Sequence, residues 1–220
     1  MFKFQDFDGK LLALRAEMTA PVARIVTTRM PSAPEPIRLF YITNVFRYNP
    51  SYLKNEREFY QAGIELVGCN TPEADGEILA LLISFLKQIG LEQVRIDLGN
   101  ASLLKDLQNA AGLDQKQKAA LQRLLSCRDL IGLKKFMTEN KFPADLCDVF
   151  VELSRCRKLS EVSKISLNGS EYEDAKKQLQ SLKELQKALV DYGIDDLVYF
   201  DFSLTRQIEY YTGCLLYTSD

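Results

Sequence analysis

Val45-Phe46-Arg47-Tyr48 and Arg57-Glu58-Phe59-Tyr60-Gln61-Ala62-Gly63-Ile64-Glu65 are two alternating runs separated by a short polar loop, Asn49 to Glu56. A strand turns successive side chains to opposite faces, so Arg57, Phe59, Gln61, Gly63 and Glu65 share one face. Tyr60, Ala62, Ile64 and Leu66 share the other, and their apolar character predicts that this second face meets the core. A face presenting Gln and Glu around a Gly is poorly suited to packing and well suited to a small polar ligand. A hairpin through the loop would bring Arg47 and Arg57 to one rim of that face, as an anion site requires.

Around this hairpin the pattern alternates between strand and helix signals. Phe2 to Phe7 reads as strand-like, Asp8-Gly9 as a turn, and Thr19 as the N-cap of a helix with Pro21 in its first turn. Met30 to Pro36 holds three prolines and reads as a loop. Ile37 to Tyr48 and Arg57 to Gly68 are the long strands. Thr71-Pro72-Glu73 opens a helix with the apolar stripe Ile78, Leu79, Leu82, Phe85, Leu86 and Ile89, closed by Gly90. Val94, Ile96 and Leu98 alternate as a strand.

From residue 101 to about 192 the chain turns rich in Leu, Lys, Gln and Glu at helical spacing. The last of these helices runs from Tyr172 to Tyr192 with Leu179, Leu182, Leu185 and Leu189 as its stripe. Val198 to Leu204 returns to strand alternation. Strands and helices mix without a βαβ rhythm, which predicts an α+β fold with a mostly antiparallel sheet and an inserted helical region.

Composition narrows the chemistry. The 220 residues include no histidine, which removes His general acid–base catalysis, Ser-His and Cys-His nucleophile pairs and His-containing zinc sites. The formal net charge of −2 and the lack of a basic block argue against nucleic-acid binding. Five scattered cysteines, Cys69, Cys127, Cys147, Cys156 and Cys214, lack C-x-x-C spacing and read as reduced thiols of a cytoplasmic protein. No apolar run approaches the roughly 20 residues that span a bilayer. Neither a cofactor nor a metal site is expected.

Three ordered segments carry a resemblance. Phe46-Arg47, the loop and Arg57-x-Phe59-x-Gln61 resemble motif 2 of class II aminoacyl-tRNA synthetases, in the form found in histidyl-tRNA synthetase. Leu14-Arg15-Ala16-Glu17-Met18-Thr19 resembles that enzyme's Arg-Pro-Glu-Gly-Thr segment. Leu204-Thr205-Arg206-Gln207-Ile208-Glu209-Tyr210-Tyr211 resembles its histidine-specific Leu-Val-Arg-Gly-Leu-Asp-Tyr-Tyr. The wording Glu58-Phe59-Tyr60-Gln61-Ala62-Gly63-Ile64-Glu65-Leu66-Val67-Gly68 is more similar to a non-synthetase branch, the regulatory subunits of ATP phosphoribosyltransferase.

The resemblance implies a set of roles. Glu17, Thr19, Gln61, Glu65, Arg206, Tyr210 and Tyr211 would form a pocket for histidine or a similar ligand. Carboxylates and an amide would take its ammonium and imidazole groups, and Tyr211 would close the imidazole end. Arg47 and Arg57 would face a phosphate or carboxylate, a task the planar guanidinium fork suits. A structural ion pair of Arg47 or Arg206 with Glu65 or Glu17, and simple packing of Tyr210, are the plain alternatives. The synthetase-like core would comprise 1–100 and 193–213, with 101–192 as the helical insertion.

Departures from the synthetase pattern fall on the nucleotide side. Asn49 stands where motif 2 carries Glu, Asn55 where the loop carries Arg, and Gln207 where Gly lets backbone approach the ligand. The resemblance therefore implies a non-catalytic regulatory subunit whose partner is the catalytic subunit of ATP phosphoribosyltransferase, in a hetero-oligomer with histidine as effector. The alternatives are a histidyl-tRNA synthetase fragment that activates histidine with ATP and Mg²⁺, or a synthetase-like domain with an unrelated partner. Motifs 1 and 3 have no counterpart, so the chain reads as an internal fragment. Residues 214–220 read as an artefactual tail, the translation of a sequencing adapter, and are expected to be poorly anchored.

Overall fold

The computed structural model describes residues 1–48 and 57–204, and the backbone of the strand Cys214–Thr218. It divides into two compact units, Met1–Asn70 and Thr71–Asp220.

The first unit opens with a two-stranded ribbon, β1 (Lys3–Gln5) against β2 (Leu11–Ala13). The Asp6 carboxylate turns it, accepting from the Asp8 and Lys10 amides at 3.0 and 2.8 Å. Helix α1 (Thr19–Arg29) follows, and then the long hairpin of β3 (Ile37–Phe46) and β4 (Glu58–Val67). Their antiparallel register pairs Tyr41 with Gly63, Thr43 with Gln61 and Leu39 with Glu65. The predicted hairpin is present with its predicted alternation.

The predicted identity of its covered face is reversed. Phe40, Ile42 and Tyr60 are 79, 71 and 80% exposed, and Ala62 beside them is exposed as well. The polar face with Gln61, Gly63 and Glu65 is the better covered one, its strand partners including buried Ile37 and Val45. Sequence apolarity pointed the other way because Tyr60, Ala62, Ile64 and Leu66 of β4 are all apolar, whereas Gln61, Gly63 and Glu65 between them are not. What covers the polar face is instead a set of hydrogen bonds, which no hydropathy pattern records.

The second unit begins with α2 (Pro72–Gln88), capped by the Thr71 hydroxyl, which accepts from the Ala74 amide. Gly90 ends it at φ +96°, as expected of a C-terminal glycine. Its buried stripe is Gly76, Leu79 and Ile83, rotated from the expected one, with Phe85 and Ile89 about half exposed. The cause is close approach to a later helix: a Cβ on Gly76 would lie 3.0 Å from that of Ala188.

After α2 come β5 (Ile96–Asn100), α3 (Ala101–Ala110), α4 (Gln115–Ser126), α5 (Leu130–Glu139), α6 (Ala144–Arg155), α7 (Leu159–Val162), α8 (Glu173–Asp191) and β6 (Val198–Phe200). The chain ends with β7 (Cys214–Thr218). In α8 the expected stripe of Leu179, Leu182, Leu185 and Leu189 is buried. Strand β5 lies between β6, which runs parallel to it, and β7, which runs antiparallel. The three other strand pairings of the described residues are antiparallel, so the α+β class holds with one parallel pair.

The helices of 101–192 share one hydrophobic core with these strands. Ile96, Leu98, Val198 and Phe200 join Leu104, Leu107, Phe150, Leu185 and Leu189 in a single buried cluster. A helical segment that fills the sheet's own core has no separate interior, so 101–192 packs as part of this unit.

Residues Cys214 to Thr218, expected to hang loosely, pair with β5 from Asn100↔Cys214 to Ile96↔Thr218. An apolar run of strand-forming residues beside an open strand edge pairs whatever its origin. Among the described residues no helix is long and apolar enough to cross a membrane.

Candidate functional site

The site is built on the polar face of the β3–β4 hairpin and the start of α1. Glu17 precedes the helix, and its carboxylate accepts from the amides of Thr19 (2.6 Å) and Ala20 (3.1 Å). It thereby satisfies donors that the first helical turn cannot pair internally. The predicted N-cap, Thr19, does not cap: it is the first helical residue, and Met18 at the cap position makes no side-chain cap bond. With Glu17 in that role the Thr19 hydroxyl turns away and donates to the Glu65 carboxylate at 2.9 Å.

Arg47 and Gln61 form the second half. The Arg47 guanidinium donates from Nε to the Ala16 carbonyl (2.8 Å) and from Nη2 to Gln61 Oε1 (3.4 Å), and lies 5.3 Å from the centre of the Phe59 ring. The Gln61 amide donates in turn to the Tyr41 hydroxyl at 3.2 Å. Gly63 makes room for this: a Cβ there would fall 2.3 Å from the Tyr41 ring. Register brings the Arg47 amide to the Arg57 carbonyl (2.9 Å), so the expected arginine rim exists in the backbone. The Arg57 guanidinium, however, faces the Tyr48 and Phe2 rings at 5.6 and 6.0 Å, a cation–π arrangement.

Four of the predicted residues thus meet directly in two pairs on one face, Thr19 with Glu65 and Arg47 with Gln61, and Glu17 stands beside the first pair. Arg206, Tyr210 and Tyr211 lie outside the described residues, as do the departures Asn49, Asn55 and Gln207. Tyr41 was missed. Its signal was available, because the register that sets Arg47 opposite Arg57 also sets Tyr41 opposite Gly63.

Burial pushes the Glu65 carboxyl above its ordinary range; the Thr19 hydroxyl opposes this, and the nearby Glu17 carboxylate adds to the rise. A carboxylate raised by burial and by a like charge is one that a bound cationic group would stabilise. An ammonium or imidazolium is such a group. The arrangement can therefore hold a small polar cation against Glu65, with the Gln61 amide oriented by Arg47 on one side and Tyr41 on the other. Among the described residues no cluster of His, Cys, Asp and Glu is placed to hold a metal ion.

The family model for histidyl-tRNA synthetase matches residues 1–218. The chain belongs to the histidyl-tRNA synthetase family. Within that family, an ATP phosphoribosyltransferase regulatory subunit from Acetivibrio thermocellus is 33% identical over 219 residues, which is 98% of this chain and 51% of that protein. A solved structure from Bacillus halodurans, described as an ATP phosphoribosyltransferase regulatory subunit/histidyl-tRNA synthetase, is 30% identical. It superposes with a TM-score of 0.79 over 98% of this chain and 56% of its own. A Thermotoga maritima chain from an ATP phosphoribosyltransferase complex superposes with a TM-score of 0.71 at 22% identity, covering 100% of this chain and 75% of its own. At that identity it speaks for the fold. The chain spans about half the length of the curated relative it matches. Family membership accounts for the order of the hairpin, the Glu17–Thr19 segment and the α+β architecture.

Proposed function

We propose that this chain is part of a non-catalytic regulatory subunit of ATP phosphoribosyltransferase, which binds the catalytic subunit in a cytoplasmic hetero-oligomer. It would permit the first step of histidine biosynthesis and take part in feedback control by histidine. The observation that carries this reading is similarity along 98% of the chain to a protein of that name. The partner is proposed from that name, and the Thermotoga maritima neighbour, which comes from a complex of that enzyme, shares the fold.

The site supports the reading from the chemical side. Thr19, Glu65, Arg47 and Gln61 form a hydrogen-bonded face suited to an amino acid. Arg206, Tyr210 and Tyr211 are proposed to complete it, with Arg47 and Arg57 taking a carboxylate or phosphate. The nucleotide-handling positions are the ones that depart, at Asn49, Asn55 and Gln207. With Ala16 and Met18 where the synthetase segment has Pro and Gly, loss that harms nucleotide handling more than amino acid binding fits a protein that senses histidine without activating it. The core is proposed to comprise 1–100 and 193–213, with 101–192 as the family's helical insertion. Control of this kind is a coupling free energy, typically about 1–3 kcal/mol, between effector binding and the active assembly.

The test uses the complete protein with the catalytic subunit of ATP phosphoribosyltransferase. Addition should raise phosphoribosyl transfer, and histidine should lower it. Histidine-dependent pyrophosphate exchange should be absent. Exchange at a rate typical of synthetases would instead support the histidine-activating alternative.

A further inference from the structure

Within Thr71–Asp220 the α4–α5 turn, the end of α6 and the turn after β6 enclose a cavity of about 130 Å³. Its wall combines leucines, among them Leu124, Leu130 and Leu133, with the side chains of Arg128, Arg157 and Asp201. The α4–α5 turn is a Schellman ending: the Arg128 amide bonds the Leu125 carbonyl (2.9 Å) and the Asp129 amide bonds that of Leu124 (3.0 Å). Arg128 occupies the left-handed position at φ +53°, where glycine is the residue without a steric penalty. Any other residue there costs about 1 kcal/mol or somewhat more. Lys141 takes the same φ at the same kind of ending after α5, so it is the partners of the Arg128 side chain, not this backbone, that show its task.

Part of that task is visible. The Arg128 guanidinium pairs with Asp201 at 2.5 Å, and Asp201 is only 7% exposed. Asp201 also accepts the Ser203 amide (2.9 Å) and hydroxyl (2.6 Å), so its oxygens are well supplied. Arg157 donates from Nη1 to the Cys156 and Ser154 carbonyls at 3.0 and 3.4 Å. A guanidinium carries five N–H donors in a planar fork, more than these bonds engage. The other acid in the lining, Asp129, accepts the Gly132 amide (2.8 Å) at the start of α5. The cavity thus joins two arginines whose forks exceed their internal partners to an apolar floor.

We infer that this cavity binds a small organic carboxylate, with its apolar body on the leucines and its carboxylate on the Arg128 and Arg157 guanidinium groups. The floor decides the class. A bare inorganic anion would leave the half-buried Leu124 and Leu130 facing water, and an uncharged apolar molecule would leave the spare guanidinium N–H groups to solvent. The volume is well below the ~300 Å³ of a drug-sized pocket, which restricts the ligand to a few carbons. This site lies wholly within one compact unit and does not rest on the function proposed above.

Isovalerate, 3-methylbutanol and inorganic phosphate titrated separately into the complete protein, with binding read by isothermal titration calorimetry, test the assignment. Isovalerate should bind saturably. The alcohol, which keeps the branched body and lacks the charge, and phosphate, which keeps the charge and lacks the body, should each bind at least about tenfold more weakly. Arg157→Gln should weaken isovalerate by a similar factor while the melting temperature stays unchanged, and Arg157→Lys should fall between. Absence of saturable isovalerate binding, phosphate binding that equals it, or an Arg157→Gln protein that binds it as tightly as the parent would each overturn the assignment.

Discussion

At Glu65 one side chain combines the proposed ligand contact with a cost to the fold. Its carboxyl is raised by burial, so the folded state holds the proton more tightly than the unfolded chain does. Such a group penalises the fold fully above its folded pKa, and the penalty is relieved as pH falls through that value toward the unfolded one. Glu65→Gln mimics the protonated form and can still accept the Thr19 hydroxyl. Its melting temperature should therefore exceed the parent's at pH 7, with the gap closing as pH falls through the raised pKa of Glu65. Histidine affinity, by calorimetry on the complete protein, should fall about tenfold or more, because the variant offers no charge to an ammonium or imidazolium. Gain of stability with loss of binding marks a residue retained for its ligand. Unchanged affinity would assign Glu65 to packing alone. Nothing in the sequence told the Glu17 and Thr19 roles apart. Both are polar and sit two positions apart at a helix start, and the choice between them was made because the Glu17 carboxylate reaches two amides while the Thr19 hydroxyl reaches Glu65.

Among the elements, the hairpin shows where reading a sequence succeeds and where it stops. Period two correctly sorted Gln61, Gly63 and Glu65 from Tyr60, Ala62 and Ile64, because alternation follows from the pleat and needs no tertiary information. Which face is covered is a tertiary fact. Here α1 and the Arg15–Ala16 segment bond to the polar side, through Thr19 to Glu65 and through the Ala16 carbonyl to Arg47. Phe40 and Ile42 were thus left on the exposed side. The same limit applied in α2, where the cap at Thr71 and the stop at Gly90 were legible but the stripe rotated toward Gly76. A local signal sets the ends of a helix, and its neighbour sets the buried side. Because Phe40 and Ile42 are more than two-thirds exposed, Phe40→Thr and Ile42→Thr should each change stability by no more than about 0.5 kcal/mol. Urea unfolding of the complete protein checks this. A loss of about 2 kcal/mol, the scale of a fully buried side chain, would show instead that this face is covered there.

Across the whole molecule the buried apolar groups are unevenly shared. Val22, Ile37 and Val45 are the buried hydrophobic residues of Met1–Asn70 among those described, while the cluster in Thr71–Asp220 runs from Leu79 to Phe202. That cluster includes a chain of ring contacts, Phe136–Phe142–Phe150–Phe202–Phe200, which ties α5 and α6 to β6. Stability follows apolar area removed from water far more than it follows the count of ladder bonds, because each bond replaces one to water. The ten-residue ladder between β3 and β4 should therefore protect its amides less than its regularity suggests. Hydrogen exchange on the complete protein should show amides around Leu104, Phe150 and Leu185 opening only with global unfolding of their unit. Those of Tyr41 to Val45 and Phe59 to Gly63 should exchange through a lower-energy opening. The elements that carry the candidate site would then be the ones least fixed by the core. Histidine, if it binds there, should slow exchange in the hairpin selectively, since a ligand adds its free energy to the states that hold it. Hairpin amides as slow as those of α8 without ligand would contradict the ordering. They would place the stability of Met1–Asn70 in contacts other than its three buried apolar residues.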